Sequence, residues 1–271
     1  MPMIAINDTE LYFEDSGQPS NPSAETIVFS HGLLMTGDMF AAQVQALRGR
    51  YRCITYDHRG QGRSAASGMR SIDMDTIADD AAALIEKLGV GPVHFCGLSM
   101  GGFAAMRLAA RKPRLLRSIV LMNTTAEPEP SANIPRYRMM NWAARLFGVR
   151  TVLSGVTPIM FGKSFLKTPG RDADRALGRA MLLQNRRSAW RAVNGVMERQ
   201  GFEKEVKYIN LPTLVLVGEE DIAISAAHSE PLAQLIPNAR LVRIPHAGHS
   251  SSLEEPAAVT QAITQFLASV G

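Results

Sequence analysis

Val93-His94-Phe95-Cys96-Gly97-Leu98-Ser99-Met100-Gly101-Gly102 decides how the chain is to be read. An apolar run enters Gly97 and a helical pattern leaves Gly101, so Gly97-Leu98-Ser99-Met100-Gly101 lies at a strand-turn-helix junction. A turn that sharp leaves no room for side chains at Gly97 or Gly101, and it holds Ser99 in a strained conformation with its hydroxyl projecting. Gly102 would let the helix approach the sheet. A glycine-bearing turn whose serine merely caps a helix could carry the same letters. The strand before it and the helix after it are what favour a nucleophile.

Outward from this turn, strand-like runs alternate with helical patterns. The strands are expected at 9–13, 26–29, 53–56, 93–96, 118–122, 213–217 and 240–244. Ile27-Val28-Phe29, Ile119-Val120-Leu121-Met122 and Leu214-Val215-Leu216-Val217 are apolar throughout, as burial on both faces requires. That pattern points to an α/β fold with a mainly parallel sheet. Helices are expected at 75–88, with Asp73 or Asp75 as N-cap and Gly89 past its end, at 99–111, and at 257–267. Between Asn123 and Leu211 the alternation stops. After Glu127-Pro128-Glu129-Pro130 the segment reads as three or four helices, around 136–147, 172–185 and 188–198, with no strand between them. Such an insertion is most simply a cap over one edge of the sheet.

A serine hydroxyl needs a base, a carboxylate to orient that base, and donors for the oxyanion. Of the six histidines, His249 sits in Pro245-His246-Ala247-Gly248-His249-Ser250, on a loop at the C-terminal end of the last strand-like run. It is preferred over His246, which directly follows strand-end Pro245. The buried run 214–217 ends in Gly218-Glu219-Glu220-Asp221, and Asp221 is preferred over the two glutamates. The end of the preceding strand, Asn123-Thr124-Thr125, offers no carboxylate before Glu127. Ser30-His31-Gly32-Leu33-Leu34 follows another strand. There the amide of Leu33, together with that of Met100, could form the oxyanion hole, while His31 reads as a structural hydrogen-bonding residue. Asp57-His58-Arg59-Gly60-Gln61-Gly62-Arg63-Ser64 lacks phosphate-loop spacing and reads as a structural loop braced by Asp57 and Arg59.

These motifs occur in the order found in α/β-hydrolases, and the chain resembles that family from its second strand to its last helix. The elbow is similar to those of bacterial 3-oxoadipate enol-lactonases, aryl esterases and cofactor-free haloperoxidases. The resemblance implies a mostly parallel eight-stranded sheet flanked by helices. It also implies a core of residues 1–123 and 211–271, with residues 124–210 forming an all-helical cap after the sixth strand, and no metal or organic cofactor. A serine nucleophile argues against relatives that open epoxides or remove halide through an aspartate. The expected reaction is hydrolysis of a carboxylic ester or lactone through an acyl-enzyme intermediate, with Ser99, Asp221 and His249 as the triad. C–C bond hydrolysis, perhydrolysis and thioester hydrolysis use the same constellation. A ligand receptor with slow or no turnover is the alternative from another class.

Met35, Trp142, Met160 and Trp190 are candidate walls of an apolar substrate pocket. Residues 124–210 carry 15 Lys and Arg against 7 Asp and Glu, a net +8, so the remainder of the chain carries −4. The arginines fall at helical spacing, as on solvated helix faces, and no dense basic stripe suggests nucleic acid. A positive cap would suit an anionic lactone, whereas the methionines would suit a neutral ester. No apolar run approaches membrane-spanning length, and the N-terminal stretch lacks the marks of a secretory signal. Cys53 and Cys96 read as buried reduced thiols. The expected setting is cytoplasmic, with a small-molecule partner, no nucleic acid and no membrane; the oligomeric state is not legible.

Overall fold

The structure, a computed structural model, describes residues 2–270, so Met1 and Gly271, the ends of the expected core domain, lie outside them. Eight strands form one sheet: β1 (Met3–Ile6), β2 (Thr9–Asp15), β3 (Thr26–Ser30), β4 (Arg52–Tyr56), β5 (Val93–Leu98), β6 (Leu116–Met122), β7 (Thr213–Gly218) and β8 (Arg240–Ile244). Their spatial order is β1-β2-β4-β3-β5-β6-β7-β8. The pairs β1–β2 and β2–β4 are antiparallel and all the others parallel. β1 is the strand that the sequence analysis missed. Its alternation buries Ile4 and Ile6, and it turns into β2 through Asn7, which takes the left-handed φ of +44°. An Asn-Asp pair between two short β-prone runs was the available signal.

β3, β5 and β7 are buried along their whole length, as their uninterrupted apolar sequences require. Alternate residues of each strand point to opposite faces. Val28, Phe95, Ile119 and Val215 join an apolar layer with α2 (Met74–Leu88) and α3 (Met100–Arg111). Ile27, Phe29, Val120 and Leu216 join a second layer with α1 (Ala41–Leu47) and the helix Pro256–Leu267. Cys53 and Cys96 are buried free thiols on the second side, and burial pushes Cys53 up to about 12. α2 begins at Asp73, whose Oδ1 accepts the Thr76 N–H at 2.7 Å, and ends on Gly89 at φ +62°.

Between β6 and β7 the described chain contains helices only: α4 (Ile134–Phe147), α5 (Leu153–Met160), α6 (Lys163–Lys167), α7 (Asp172–Leu183), α8 (Trp190–Met197) and α9 (Glu203–Val206), with short 3-10 turns. α5, α6 and α9 were not legible beforehand. α5 contains Gly155 and Pro158, poor helix formers, and burial of Leu153, Val156 and Met160 accompanies it instead. Among the described residues, no helix is long and apolar enough to cross a membrane.

Candidate active site

The loops that leave the C-terminal ends of β3, β4, β5, β6, β7 and β8 supply most of the polar residues of the site, which is where a parallel sheet presents its reactive groups. Ser99 sits at φ +51°, ψ −109°, a strained conformation for a residue with a side chain, and its N–H donates to Met122 O at 2.8 Å. The glycines permit the turn. A Cβ on Gly97 would lie 2.2 Å from Gly101 O, and one on Gly101 would lie 2.1 Å from Ser30 O. Thr124 Oγ1 donates to Ser99 O at 2.9 Å and ties the elbow to the end of β6.

Asp221 and His249 are in direct contact: His249 Nδ1 lies 2.8 Å from Asp221 Oδ2, and both side chains are buried. The remaining acceptor capacity of Asp221 is also used. Its Oδ1 takes the amides of Ala223 and Ile224 at 2.8 and 2.9 Å, and its Oδ2 takes Asn123 Nδ2 at 2.9 Å. Four donors around one carboxylate fix its orientation. They also set the imidazole tautomer, with the proton on Nδ1 facing Asp221 and the Nε2 lone pair free. Burial disfavours the charged imidazole, but the Asp221 charge and hydrogen bond, with Glu254 and Glu129 farther off, outweigh it and hold His249 above the ordinary histidine value.

Ser99 and His249 border the same cavity, together with Leu33. Among the described residues Ser99 Oγ makes no hydrogen bond to His249; such bonds are often long before substrate arrives. His246 is exposed, with a left-handed φ of +63°, and Glu219 is exposed. Glu220 is turned towards the helical segment, its carboxylate accepting the N–H and hydroxyl of Ser164 at 2.7 and 2.6 Å.

The Leu33 amide has no acceptor among the described residues, and the Met100 amide stands at the first position of α3, where no intrahelical carbonyl is available. Two residues given no role of their own in the sequence analysis support these positions. Buried Gln61 accepts the Leu34 N–H at 2.7 Å through Oε1 and points Nε2 at Met100 Sδ, 3.7 Å away, so it joins the Leu33 loop to the elbow. Asn123, at φ +48°, bonds Asp221 Oδ2, Gly248 O and Ser251 Oγ at once. The only sequence signal for Asn123 was its place at a strand end where no carboxylate stands. His31 serves structure: its Nε2 accepts the His58 N–H at 2.8 Å, so Nδ1 carries the proton and donates to Gly32 O at 2.7 Å. Asp57 braces Gly37 and Arg63, and Arg59 pairs with buried Asp80.

The cavity is walled mainly by apolar side chains, among them Phe103, Ala144, Val156, Met160 and Trp190. Two of the four expected pocket residues are therefore displaced. Met35 is 0% exposed and belongs to the apolar layer that also holds Phe29 and Phe40, so its side chain is spent on the core. Trp142 is 60% exposed: α4 turns Tyr137, Met140, Asn141 and Ala144 to the cavity, which leaves residue 142 on the opposite face. Inside the cavity Arg199 and Glu129 neutralise each other at 2.6 Å, and exposed Arg186 and Arg187 lie on its border.

This fold and site define the α/β-hydrolase class. A family model of the alpha/beta hydrolase fold matches residues 25–256, and the chain belongs to that family. It is similar to RutD of Pseudomonas syringae, provisionally assigned as a carbamate hydrolase, at 29% identity over 90% of this chain and 94% of that protein. Among solved structures it is similar to a thermophilic esterase from Thermogutta terrifontis, with a TM-score of 0.91, 29% identity, and 100% and 99% of the two chains covered. It is also similar to the enol-lactonase of Burkholderia xenovorans, with a TM-score of 0.90, 29% identity, and 98% and 100% covered.

Proposed function

We propose that the protein is a serine hydrolase that cleaves a carboxylic ester or lactone through an acyl-enzyme. The observation that carries this reading is the junction of a strained Ser99 with a carboxylate-bound His249 on one cavity wall. His249 Nε2 removes the Ser99 proton as Oγ attacks the carbonyl carbon, and Asp221 stabilises the resulting imidazolium. The amides of Leu33 and Met100 receive the negative oxygen. The imidazolium then protonates the departing alkoxide. Water, deprotonated by His249, attacks the acyl-serine and releases the acid with the proton returned to Ser99. In a lactone both fragments remain one molecule, released as a hydroxy acid.

The apolar lining supports a substrate whose acyl or alcohol group is itself apolar. It also speaks against a bare carbamate of the kind that the name of the RutD relatives implies, since so small and polar a molecule would leave most of that wall uncovered. A reducing, cytoplasmic setting belongs to the same reading and is supported by the two buried free thiols. The test is hydrolysis of p-nitrophenyl acetate and butyrate, and of neutral and carboxylated lactones, by wild type and Ser99→Ala, with labelling by a serine-directed phosphonate. Turnover and labelling that both vanish in Ser99→Ala support the reading. Turnover that survives there, or a wild type that neither labels nor hydrolyses, refutes it.

A further inference from the structure

Glu254, at the C-terminal end of the short helix Ser251–Glu254, is a fully buried carboxylate in the turn that carries His249. Its Oε2 accepts the N–H of Gly248 at 2.9 Å and its Oε1 the N–H of Ser250 at 2.8 Å, so it grips the backbone on both sides of His249. Oε2 also accepts the N–H of Gly162 at 2.7 Å, from the segment between α5 and α6. The same two stretches meet again where Ser250 N–H reaches Met160 O at 3.1 Å, and Met160 is a wall of the cavity. Among the described residues no Lys or Arg pairs with Glu254. Arg171, just before α7, instead donates to its backbone carbonyl. A wholly buried charge held only by three amides is costly, and a packing role alone would be met by an apolar residue.

Resting on the serine-hydrolase reading, we propose that Glu254 is a positioning residue for the reaction: its carboxylate fixes the backbone on either side of His249 and clamps that turn to the cavity wall at Met160–Gly162. The ionised form does this best, because all three partners are donors and protonation takes a lone pair from a carboxyl oxygen that faces N–H groups and weakens its acceptance. Burial, only partly offset by the three amides and by His249, raises this carboxyl to about 7, beside a His249 that is itself held above the ordinary histidine value. The other ionisable groups facing the turn are Glu255 on its own segment, Arg171 just before α7 with its partner Asp174, Lys163 on α6, His246, Glu220 and Asp221 on the neighbouring loops, and Glu129, which acts on His249 from farther off. Arg171 is engaged by Asp174 and Glu255, and the Lys163 charge acts on Glu220, so neither cation neutralises Glu254.

The experiment measures p-nitrophenyl butyrate hydrolysis between about pH 5 and 8 by wild type, Glu254→Gln, Glu254→Asp and Ser99→Ala, with circular dichroism and thermal melts as checks on folding. Glu254→Gln keeps the shape but must present an NH2 to at least one amide. We expect kcat to fall roughly 10- to 100-fold with KM changed less than about threefold, the signature of a misaligned reacting group. Glu254→Asp, which keeps the charge, recovers part of that loss. The acid limb of log(kcat/KM) approaches a two-proton slope in wild type and a one-proton slope in Glu254→Gln. A folded Glu254→Gln with kcat within about threefold of wild type, or with a rise in KM alone, overturns the proposal. If that variant does not fold, the wild-type profile decides: a two-proton limb supports the assignment and a one-proton limb overturns it. Turnover that survives Ser99→Ala removes the hydrolase reading and this proposal with it, whereas loss there beside an unaffected Glu254→Gln removes this proposal alone.

Discussion

Replacing Asp221 by Asn tests the site most directly, because every oxygen lone pair of that carboxylate faces a named donor. An asparagine must point its NH2 one of two ways. Towards Ala223 and Ile224, it would strand two backbone N–H groups that now donate at 2.8 and 2.9 Å, at about 1–3 kcal/mol each. Towards His249, it loses only the Asn123 contact, provided that the imidazole surrenders its Nδ1 proton and accepts instead. The second arrangement is favoured, and it moves the imidazole proton to Nε2, where a base for Ser99 is needed. The fold survives while the base is lost. The expected fall in kcat for p-nitrophenyl butyrate is about 10⁴-fold, which corresponds to roughly 5 kcal/mol of transition-state stabilisation. The melting temperature should change little. A purified, folded Asp221→Asn that keeps more than about a tenth of wild-type kcat would refute the tautomer argument and, with it, the role given to Asp221.

Four further outcomes follow from particular contacts. The acid limb of kcat/KM for wild type should have its midpoint above the ordinary histidine value of 6.5, since the proposed base is the neutral imidazole and the Asp221 charge favours the protonated form; a midpoint at or below 6.5 contradicts these electrostatics. Glu254, raised from the ordinary 4.5 to about 7, binds its proton more tightly folded than unfolded. Its stabilising contribution is therefore complete below pH 4.5 and is lost as pH rises towards 7. Urea unfolding of wild type minus Glu254→Gln should fall by about 3 kcal/mol across that window, and a flat difference refutes it. Met35→Ala should cost about 2–5 kcal/mol of stability while KM for esters is unchanged, and Trp142→Ala should alter neither; a large KM effect from either would return that residue to the pocket. Ala144→Phe, which fills the cavity wall, should lower the octanoate-to-acetate ratio of kcat/KM by about 10-fold, and an unchanged ratio places the acyl chain elsewhere.

The sequence alone determined the alternation of buried strands and helices, the elbow at Ser99, and the loops that carry Asp221 and His249. These are local matters: an all-apolar strand, a glycine that no side chain could replace, and a polar residue one loop beyond a strand end are each written within a few neighbouring residues. Only the tertiary structure decided which side chains share a wall. Met35 and Trp142 carry the right chemistry for a substrate pocket, yet one is folded into the core and the other turned to solvent, because helix phase and loop path are set by packing against distant chain. Gln61, Asn123 and Glu254 escaped the sequence analysis for the same reason. Gln61 and Asn123 meet partners 27 to 128 residues away, and Glu254 reaches Gly162, 92 residues away, beside its near neighbours Gly248 and Ser250; hydrogen bonds across such long separations leave no periodicity along the chain.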